Sequence, residues 1–294
     1  MSSQSQDSPL SDWLALREAA DFASRSDRLT RLVADRFRTT GTINVLDLGT
    51  GTGSNLRFLM QHLPRVQHWT VIDRDTTLLH NLWTRTAAWA LARNFEFVPE
   101  GDGFVVRGPQ LECRVEPRQR DLNSVDDATL VTGKQLVTAS ALLDLVSESW
   151  LETLARHCHG AGATALFTIS YDGRSPCAPA DADDDIVREL FNRHQHTDKG
   201  LGGPAAGPDA AEAAAAAFAR AGFRVERERS DWVIEHHERE LQRQLIDGWA
   251  GAASEMAPEI APQIANWRLR RLNHVESGGS LIVVGHEDMA ALPR

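Results

Sequence analysis

The sequence has little of what a disulfide-stabilised or membrane-spanning protein requires. Its 294 residues include only three cysteines and one tyrosine. Cys113, Cys158 and Cys177 are odd in number and far apart, so they predict neither a disulfide framework nor a thiolate metal site. Nowhere do about 18 apolar residues follow one another, as a transmembrane helix requires. Residues 1–9 lack the charged and apolar regions of a signal peptide, so we expect a cytoplasmic protein without membrane association.

Positive charge is also scarce. The chain has 41 Asp and Glu against 31 Lys and Arg, which gives a formal net charge of -10. No run of Lys or Arg offsets this excess, and a negative surface repels phosphate backbones. A nucleic-acid substrate is therefore disfavoured, and a small-molecule partner is expected. An apolar content of 42% is ordinary for a globular α/β core.

The spacing of apolar residues predicts an α/β fold. Residues 11–37 have helical spacing and predict two helices before the core. After them, short apolar strands alternate with helical segments, an order that favours a parallel sheet with helices on both faces. The predicted strands are 43–48, 69–73, 95–98, 103–107, 111–117, 135–140, 164–171, 223–228 and 280–285. The predicted helices after the first two are about 56–63, 76–92, 147–157, 181–195 and 209–221, followed by a helical stretch at about 234–275.

Three segments fall outside this alternation. The N-terminal tail and helices occupy residues 1–40, and the remaining domain, 41–294, has insertions at about 172–207 and 234–275. We expect these helical segments to form a cap over a ligand pocket. The second insertion is long enough to serve as a homodimer interface instead.

A glycine-rich turn follows the first of these strands. Gly49, Gly51 and Gly53 suit positive φ angles and close approach of a ligand to backbone N–H groups. Nicotinamide and flavin enzymes use a similar turn, but the third glycine of their G-x-G-x-x-G motif would fall at Ser54. Asp47 beside the turn would repel a pyrophosphate and attract a cationic ligand. Asp73, which ends the second strand of the parallel core, can bind both ribose hydroxyls, and this feature fits NAD equally well.

Four segments together resemble the successive cofactor motifs of class I S-adenosylmethionine-dependent methyltransferases. They are VLDLGTGTG at 45–53, VIDRD at 71–75, RDL at 120–122 and VTAS at 137–140. The resemblance covers roughly residues 43–171. It implies a doubly wound, mostly parallel seven-stranded sheet. It also implies an enzyme that uses S-adenosylmethionine, releases S-adenosylhomocysteine and methylates an oxygen or nitrogen of a small molecule.

The resemblance also implies roles for matched positions. Asp47 and Gly49 would face the methionine part of the cofactor, Asp73 the ribose, and Asp121 with Leu122 the adenine. Thr138, Ala139 and Ser140 would line the cavity beside the sulfonium. The remaining predicted cofactor-binding residues are Thr50, Gly51, Asn55 and Arg74. Arg17, or alternatively Arg25, would reach the cofactor carboxylate from the helices before the core.

The acceptor is expected beyond the carboxyl ends of the strands, where open α/β sheets bind ligands. Tyr171, at the end of its strand, is a candidate catalytic residue. In the polar segment 191–201, His194 and His196 are candidate general bases, because imidazole titrates near neutral pH. The predicted substrate-binding residues are Asn192, Arg193, Gln195, Asp198 and Lys199. The acidic segment 181–185 is interpreted as the first turn of a helix, and no metal is expected.

Two other functions stay open. An NAD(P)-dependent oxidoreductase is disfavoured by Ser54 and Asp47, and a non-catalytic S-adenosylmethionine-binding protein is disfavoured by the full set of cofactor motifs. The strand that ends at Ser140 is followed by Ala-Leu-Leu-Asp-Leu. Methyltransferases that modify amino groups of nucleic acids have an Asn/Asp-Pro-Pro-aromatic turn at that place.

Overall fold

A computed structural model describes residues 9–123 and 125–294, so most of the predicted N-terminal tail at 1–9 lies outside the described residues. The helices are α1 Pro9–Ser24, α2 Asp27–Arg36, α3 Ser54–Leu59, α4 Thr76–Ala92, α5 Glu148–Ala161, α6 Asp184–Gln195, α7 Ala210–Arg220, α8 Arg239–Met256 and α9 Ala261–Glu276. The strands are β1 Ile43–Leu48, β2 Val66–Asp73, β3 Glu96–Glu100, β4 Gly103–Gly108, β5 Leu111–Gln119, β6 Leu136–Ser140, β7 Thr164–Tyr171, β8 Cys177–Ala178, β9 Phe223–Arg229, β10 Trp232–Ile234, β11 Leu281–Val284 and β12 His286–Pro293. Within these ranges no helix combines the length and apolarity needed to cross a membrane.

The main sheet has the order β3-β4-β5-β2-β1-β6-β7-β12-β9. Strands β5, β2, β1, β6 and β7 run parallel, and β12 is antiparallel to both of its neighbours. The prediction of a doubly wound, mostly parallel α/β sheet is therefore confirmed. In the described part of the chain this sheet has nine strands instead of seven, because the antiparallel strands β3 and β4 extend it beyond β5.

Helices cover both faces of this sheet. Side chains alternate along β1, so that Leu46 and Leu48 pack on one face with α5 and α7, whereas Val45 packs on the other with α2, α3 and α4. Strands covered on both sides read as nearly continuous apolar segments, as β1 and β7 do. The carboxyl ends of β1, β6 and β7 therefore lie side by side at one edge of a rigid core.

A third apolar cluster forms a cap outside the sheet. It contains residues of α1, α6, α8 and α9 together with a small sheet of order β10-β11-β8. Arg271 of α9 is fully buried and pairs with Asp184 at the start of α6, which also accepts a hydrogen bond from Trp267 Nε1 at 2.8 Å. In the structure the acidic segment 181–185 thus ties two cap helices together.

Residues 280–285 were predicted as the last strand of the main sheet, and this placement is wrong. Leu281–Val284 belongs to the small cap sheet, and His286–Pro293 completes the main sheet. Gly285 separates the two, and a Cβ atom there would lie 2.1 Å from Asp172 Oδ1. The predicted helical stretch at 234–275 is likewise two helices, α8 and α9, interrupted near Pro258, preceded by β10.

Candidate active site

The glycine-rich turn between β1 and α3 has the backbone that its sequence predicts. Gly49 and Gly51 have φ angles of 62° and 54°, which side-chain-bearing residues rarely adopt. A Cβ atom on Gly49 would lie 3.2 Å from Leu142, and one on Gly51 would lie 3.1 Å from Leu14 of α1. The turn is therefore closed in by the segment after β6 on one side and by α1 on the other.

Asp47, in strand β1, binds side chains of the turn and of the helix that follows it. It is fully buried and accepts hydrogen bonds from Thr50 Oγ1 at 2.7 Å and Asn55 Nδ2 at 2.6 Å, one on each carboxylate oxygen. Burial raises the pKa of Asp47 to about 6, although the bonds from Thr50 and Asn55 work in the opposite direction. Asn55 Nδ2 also lies 3.1 Å from Thr138 Oγ1, so this network joins β1, α3 and β6.

Arg25 lies in the same network. Its guanidinium donates to Asn55 Oδ1 at 2.6 Å and to Ser140 Oγ at 3.1 Å, and it stacks 4.6 Å from the centre of the Phe58 ring. Its Nε atom is buried without a hydrogen-bond partner among the described residues. Arg17, the other candidate for the cofactor carboxylate, does not belong to this network. Of the two arginines, Arg25 is the one that hydrogen-bonds to Asn55, which in turn binds Asp47.

Two other carboxylates predicted to bind the cofactor, Asp73 and Asp121, lie at or just after the ends of neighbouring strands. Asp73, the last residue of β2, accepts a hydrogen bond from the Gly51 backbone N–H at 2.8 Å. Arg74 and Asp121 are exposed, and Leu122 is buried. Because β5 pairs with β2 up to Asp73, the chain after β5 brings Asp121 to the same edge of the sheet.

A second feature, which we call the aromatic cavity, lies at the ends of β6 and β7 under the cap. It has a volume of about 320 Å³. Its walls come from α1, α6, α8, the small sheet and the two strand ends. The aromatic side chains in its walls are Trp13, Tyr171, Phe191, Trp232, Trp249 and His286. Arg17 and Asp144 bring charge to the same walls. Ala141, one residue beyond the predicted cofactor residue Ser140, also lines it.

Asp144 is the carboxylate of the aromatic cavity. It lies in a short 3-10 turn, Leu143–Leu145, just after β6, and only 8% of its surface is exposed. Its own backbone N–H and that of Tyr171 hydrogen-bond to the carboxylate, yet Oδ1 has no partner among the described residues. Burial raises the pKa of Asp144 to about 6, although Arg17 and Lys199 oppose this effect.

Two more buried polar atoms of the cavity walls have no hydrogen-bond partner in the described chain: His286 Nδ1 and Trp232 Nε1. Burial, reinforced by the charge of Arg17, lowers the pKa of His286 to about 3, so this imidazole is neutral at physiological pH. Buried polar groups in proteins are nearly always hydrogen-bonded. The cavity therefore presents unsatisfied polar atoms between apolar walls, as ligand sites do.

The backbone of the cavity wall is also unusual. Ala141 and Ile169 both line the cavity and have φ angles of 51° and 56°. A β-branched residue such as isoleucine rarely adopts this conformation. It is held here because the Ile169 N–H donates to Asp288 Oδ1 at 2.8 Å, opposite a register shift between β7 and β12. Backbone strain of this kind is found at functional sites, where the surrounding structure enforces it.

The polar segment 191–201 is brought only partly to this cavity. It begins in the last turn of α6, where Phe191 and Gln195 line the cavity. Asn192 accepts a hydrogen bond from the Tyr171 hydroxyl at 2.8 Å and donates to the Gly173 carbonyl at 3.0 Å. Burial raises the pKa of Tyr171, so its hydroxyl stays protonated, and its ring forms part of the cavity wall.

The other residues that were predicted to bind or deprotonate the methyl acceptor are not among the described residues that line the cavity. They are Arg193, His194, His196, Asp198 and Lys199. His194 Nε2 lies 3.3 Å from Glu255 Oε2 of α8, and His196 Nδ1 lies 3.3 Å from the Ala205 carbonyl oxygen. Both imidazoles therefore face neighbouring parts of the protein.

Sequence reasoning missed Asp144, His286 and Trp232. For Asp144 a signal exists, because it is an acid in an otherwise apolar segment directly after a buried strand. For His286 and Trp232 no local signal exists, since they lie in different sheets and only the folded chain brings them together.

No protein-family model matches this chain, and no curated protein matches it. Solved structures do match. The cyclopropane synthase MmaA2 from Mycobacterium tuberculosis has 12% identity, a TM-score of 0.48, and coverage of 98% of this chain and 96% of its own. A SAM-dependent methyltransferase from Geobacter sulfurreducens, in complex with S-adenosylhomocysteine, has 15% identity, a TM-score of 0.43, and coverage of 95% and 98%. Phosphoethanolamine N-methyltransferase 2 from Haemonchus contortus, in complex with phosphomonomethylethanolamine and S-adenosylhomocysteine, has 12% identity, a TM-score of 0.40, and coverage of 96% of this chain and 60% of its own.

Proposed function

We propose that this protein transfers a methyl group from S-adenosylmethionine to an oxygen or nitrogen atom of a small molecule. The observation that carries the proposal is the adjacency of two differently built sites at one edge of the sheet. The glycine-rich turn with Asp73 has the backbone donors and the carboxylate that suit a nucleoside carrying an amino acid. The aromatic cavity begins one residue after Ser140 and suits a mainly apolar acceptor.

The residues at the turn fit S-adenosylmethionine. Asp73 would bind the ribose hydroxyls, and Asp121 with Leu122 would bind the adenine. Arg25 would bind the cofactor carboxylate, because its buried guanidinium carries an N–H that has no partner among the described residues. When bound, the cofactor supplies a methyl group that is activated by a sulfonium. The excess of acidic over basic groups around Asp47 and Asp73 suits the positive charge of that ligand.

The chain's own contribution is alignment and enclosure. Methyl transfer from a sulfonium is an in-line displacement, which depends on holding the acceptor atom close to the methyl carbon in the right direction. Leu14 and Leu142 close the turn on two sides, and the aromatic walls keep water away from the acceptor. A protic acceptor also requires a base, and Asp144 lies in the cavity wall to serve as one.

Thermal unfolding with candidate cofactors tests the proposal. A ligand present at about 100 times its Kd stabilises the folded state by about 2.7 kcal/mol, which raises Tm by several degrees. We expect S-adenosylhomocysteine to raise Tm and NAD to leave it unchanged. The reverse result would favour an oxidoreductase. Binding of S-adenosylmethionine without its conversion to S-adenosylhomocysteine, across a panel of amines and phenols, would favour the non-catalytic alternative.

A further inference from the structure

We infer that the aromatic cavity binds a compact, flat molecule with an N–H group, and that Asp144 accepts the hydrogen bond from that nitrogen. We further infer that Asp144 takes the proton of this nitrogen when it is methylated. The methylation step rests on the proposed function, whereas the binding of the N–H compound does not.

The walls define the shape and polarity of the ligand. A cavity of about 320 Å³ is at the small end of ligand sites in proteins, which range over about 300–1,000 Å³. It therefore suits a molecule of one or two rings. Trp13 and Trp249 come from two different cap helices and present indole rings to the same space. Aromatic walls of this kind bind flat ligands and attract a positive charge that lies over a ring.

The charges of the walls favour a hydrogen-bond donor. The positive charge of Arg17 is neutralised by Asp21, whose carboxylate lies 3.0 Å from the guanidinium. The guanidinium also lies 4.7 Å from the centre of the Trp232 ring. His286 is neutral. Among the described lining residues, Asp144 is therefore the charged group without a partner of opposite sign in contact. The negative charge of Asp144 would repel an anionic ligand such as a carboxylate, whereas a protonated amine would neutralise this charge.

The geometry of Asp144 fixes where the donor binds. Backbone N–H groups on both sides hold the carboxylate, and Oδ1 remains without a partner in the described chain. An unsatisfied buried oxygen is costly, so a ligand N–H that reaches it gains a charge-assisted hydrogen bond. The left-handed backbone of Ala141 and Ile169 shapes the wall on which this oxygen lies.

Methylation requires the neutral amine, so a ligand that binds as an ammonium ion first gives one proton to Asp144, which releases it to water. The lone pair of the neutral nitrogen forms a bond to the methyl carbon, while the electron pair of the carbon–sulfur bond leaves with sulfur. S-adenosylhomocysteine is then a neutral thioether, and the methylated nitrogen carries a positive charge and its proton. That proton passes to the Asp144 carboxylate, and the resulting acid releases it to water after the product leaves.

Calorimetric titration of the full chain with two matched probes tests the binding part. Tryptamine is a flat cation whose side chain ends in ammonium N–H groups, and indole-3-propionate keeps the same indole ring but ends in a carboxylate. At pH 8 we expect tryptamine to bind at least tenfold more tightly than indole-3-propionate. Equal affinities, tighter binding of the acid, or failure of both probes to bind would overturn the inference.

Variants assign the effect to the cavity. D144N should weaken tryptamine binding at least tenfold, and W13L, which alters a half-buried ring of α1, should also weaken it. D247N removes the same charge from an exposed site on α8 and should leave tryptamine binding unchanged. Unchanged binding of tryptamine by D144N would overturn the role of Asp144. Because tryptamine is titrated without cofactor, this result is independent of S-adenosylhomocysteine binding, whose absence would instead count against the proposed function.

Discussion

Replacing Asp144 with asparagine should stabilise the protein at pH 8, although it removes the group that we propose as the base. The structure gives the reason. The carboxylate is buried among aromatic rings, and one of its oxygens has no partner in the described chain. Ionising such a group costs free energy in the folded state that the unfolded chain does not incur. Sites that need an unfavourable charge for function commonly trade stability for activity in this way.

The magnitude follows from the pKa of Asp144, which burial raises from 3.8 to about 6. Since one pKa unit corresponds to about 1.4 kcal/mol, ionisation of this carboxyl group lowers the free energy of unfolding by about 3 kcal/mol at pH 8. Asparagine removes this cost, but its amide N–H group would lie unpartnered in the cavity at a cost of about 1–2 kcal/mol. The expected net gain for D144N is therefore about 1–2 kcal/mol.

The pH dependence has a definite sign. The folded-state pKa lies above the unfolded value, so the cost is absent below about pH 4, grows as the pH rises through about 6, and stays constant above that. Urea unfolding at pH 4, 6 and 8 measures it. D144N should be slightly less stable than the wild type at pH 4 and more stable at pH 8. A difference that does not vary with pH, or a loss of stability at pH 8, would refute this account of Asp144.

Three further predictions concern the glycine-rich turn. D47N should stabilise the protein at pH 8 less than D144N does in urea titrations, because removal of the buried charge is offset at Asp47 by an amide that opposes one of the two donors, at a cost of about 1–3 kcal/mol; a gain as large as that of D144N would contradict this. D73A should weaken S-adenosylhomocysteine binding at least tenfold in calorimetry while NAD remains a non-binder, and unchanged affinity would remove Asp73 from the cofactor site. R25M should weaken the same binding about tenfold and R17M should not; the opposite order would assign the cofactor carboxylate to Arg17.

Much of the fold follows from local patterns in the sequence. Strands such as β1 and β7 are buried on both faces, so they appear as short apolar runs that end at glycine or polar residues. One exception is β12, which begins with His-Glu-Asp and continues with Met-Ala-Ala-Leu. It is a strand because β7 and β9 pair with it on both sides. Asp288 is buried there as the acceptor for two backbone N–H groups, a role that no local pattern reveals.

The candidate site also has one part that local sequence patterns predict and one part that they do not. The predicted cofactor residues come together because the carboxyl ends of parallel strands share one edge, so sequence motifs are enough to find them; their roles as ligands stay predictions. The aromatic cavity combines residues from distant segments, which only the folded cap brings together. Helical spacing does explain one outcome, because Phe191 and Gln195 are four residues apart and share a face of α6. His194, one residue before Gln195, points elsewhere.

Helix α1 borders both of the proposed ligand sites. Leu14 covers Gly51 of the turn, while Trp13 and Arg17 line the aromatic cavity. Glu18 of the same helix pairs at 2.6 Å with Arg57, which is 1% exposed. The two proposed sites therefore share one wall, so a displacement of α1 would open both of them together. Such a displacement would break the pair of Glu18 with Arg57 of α3 and the packing of α1 on the cap, and it would leave the strand pairings of the main sheet intact.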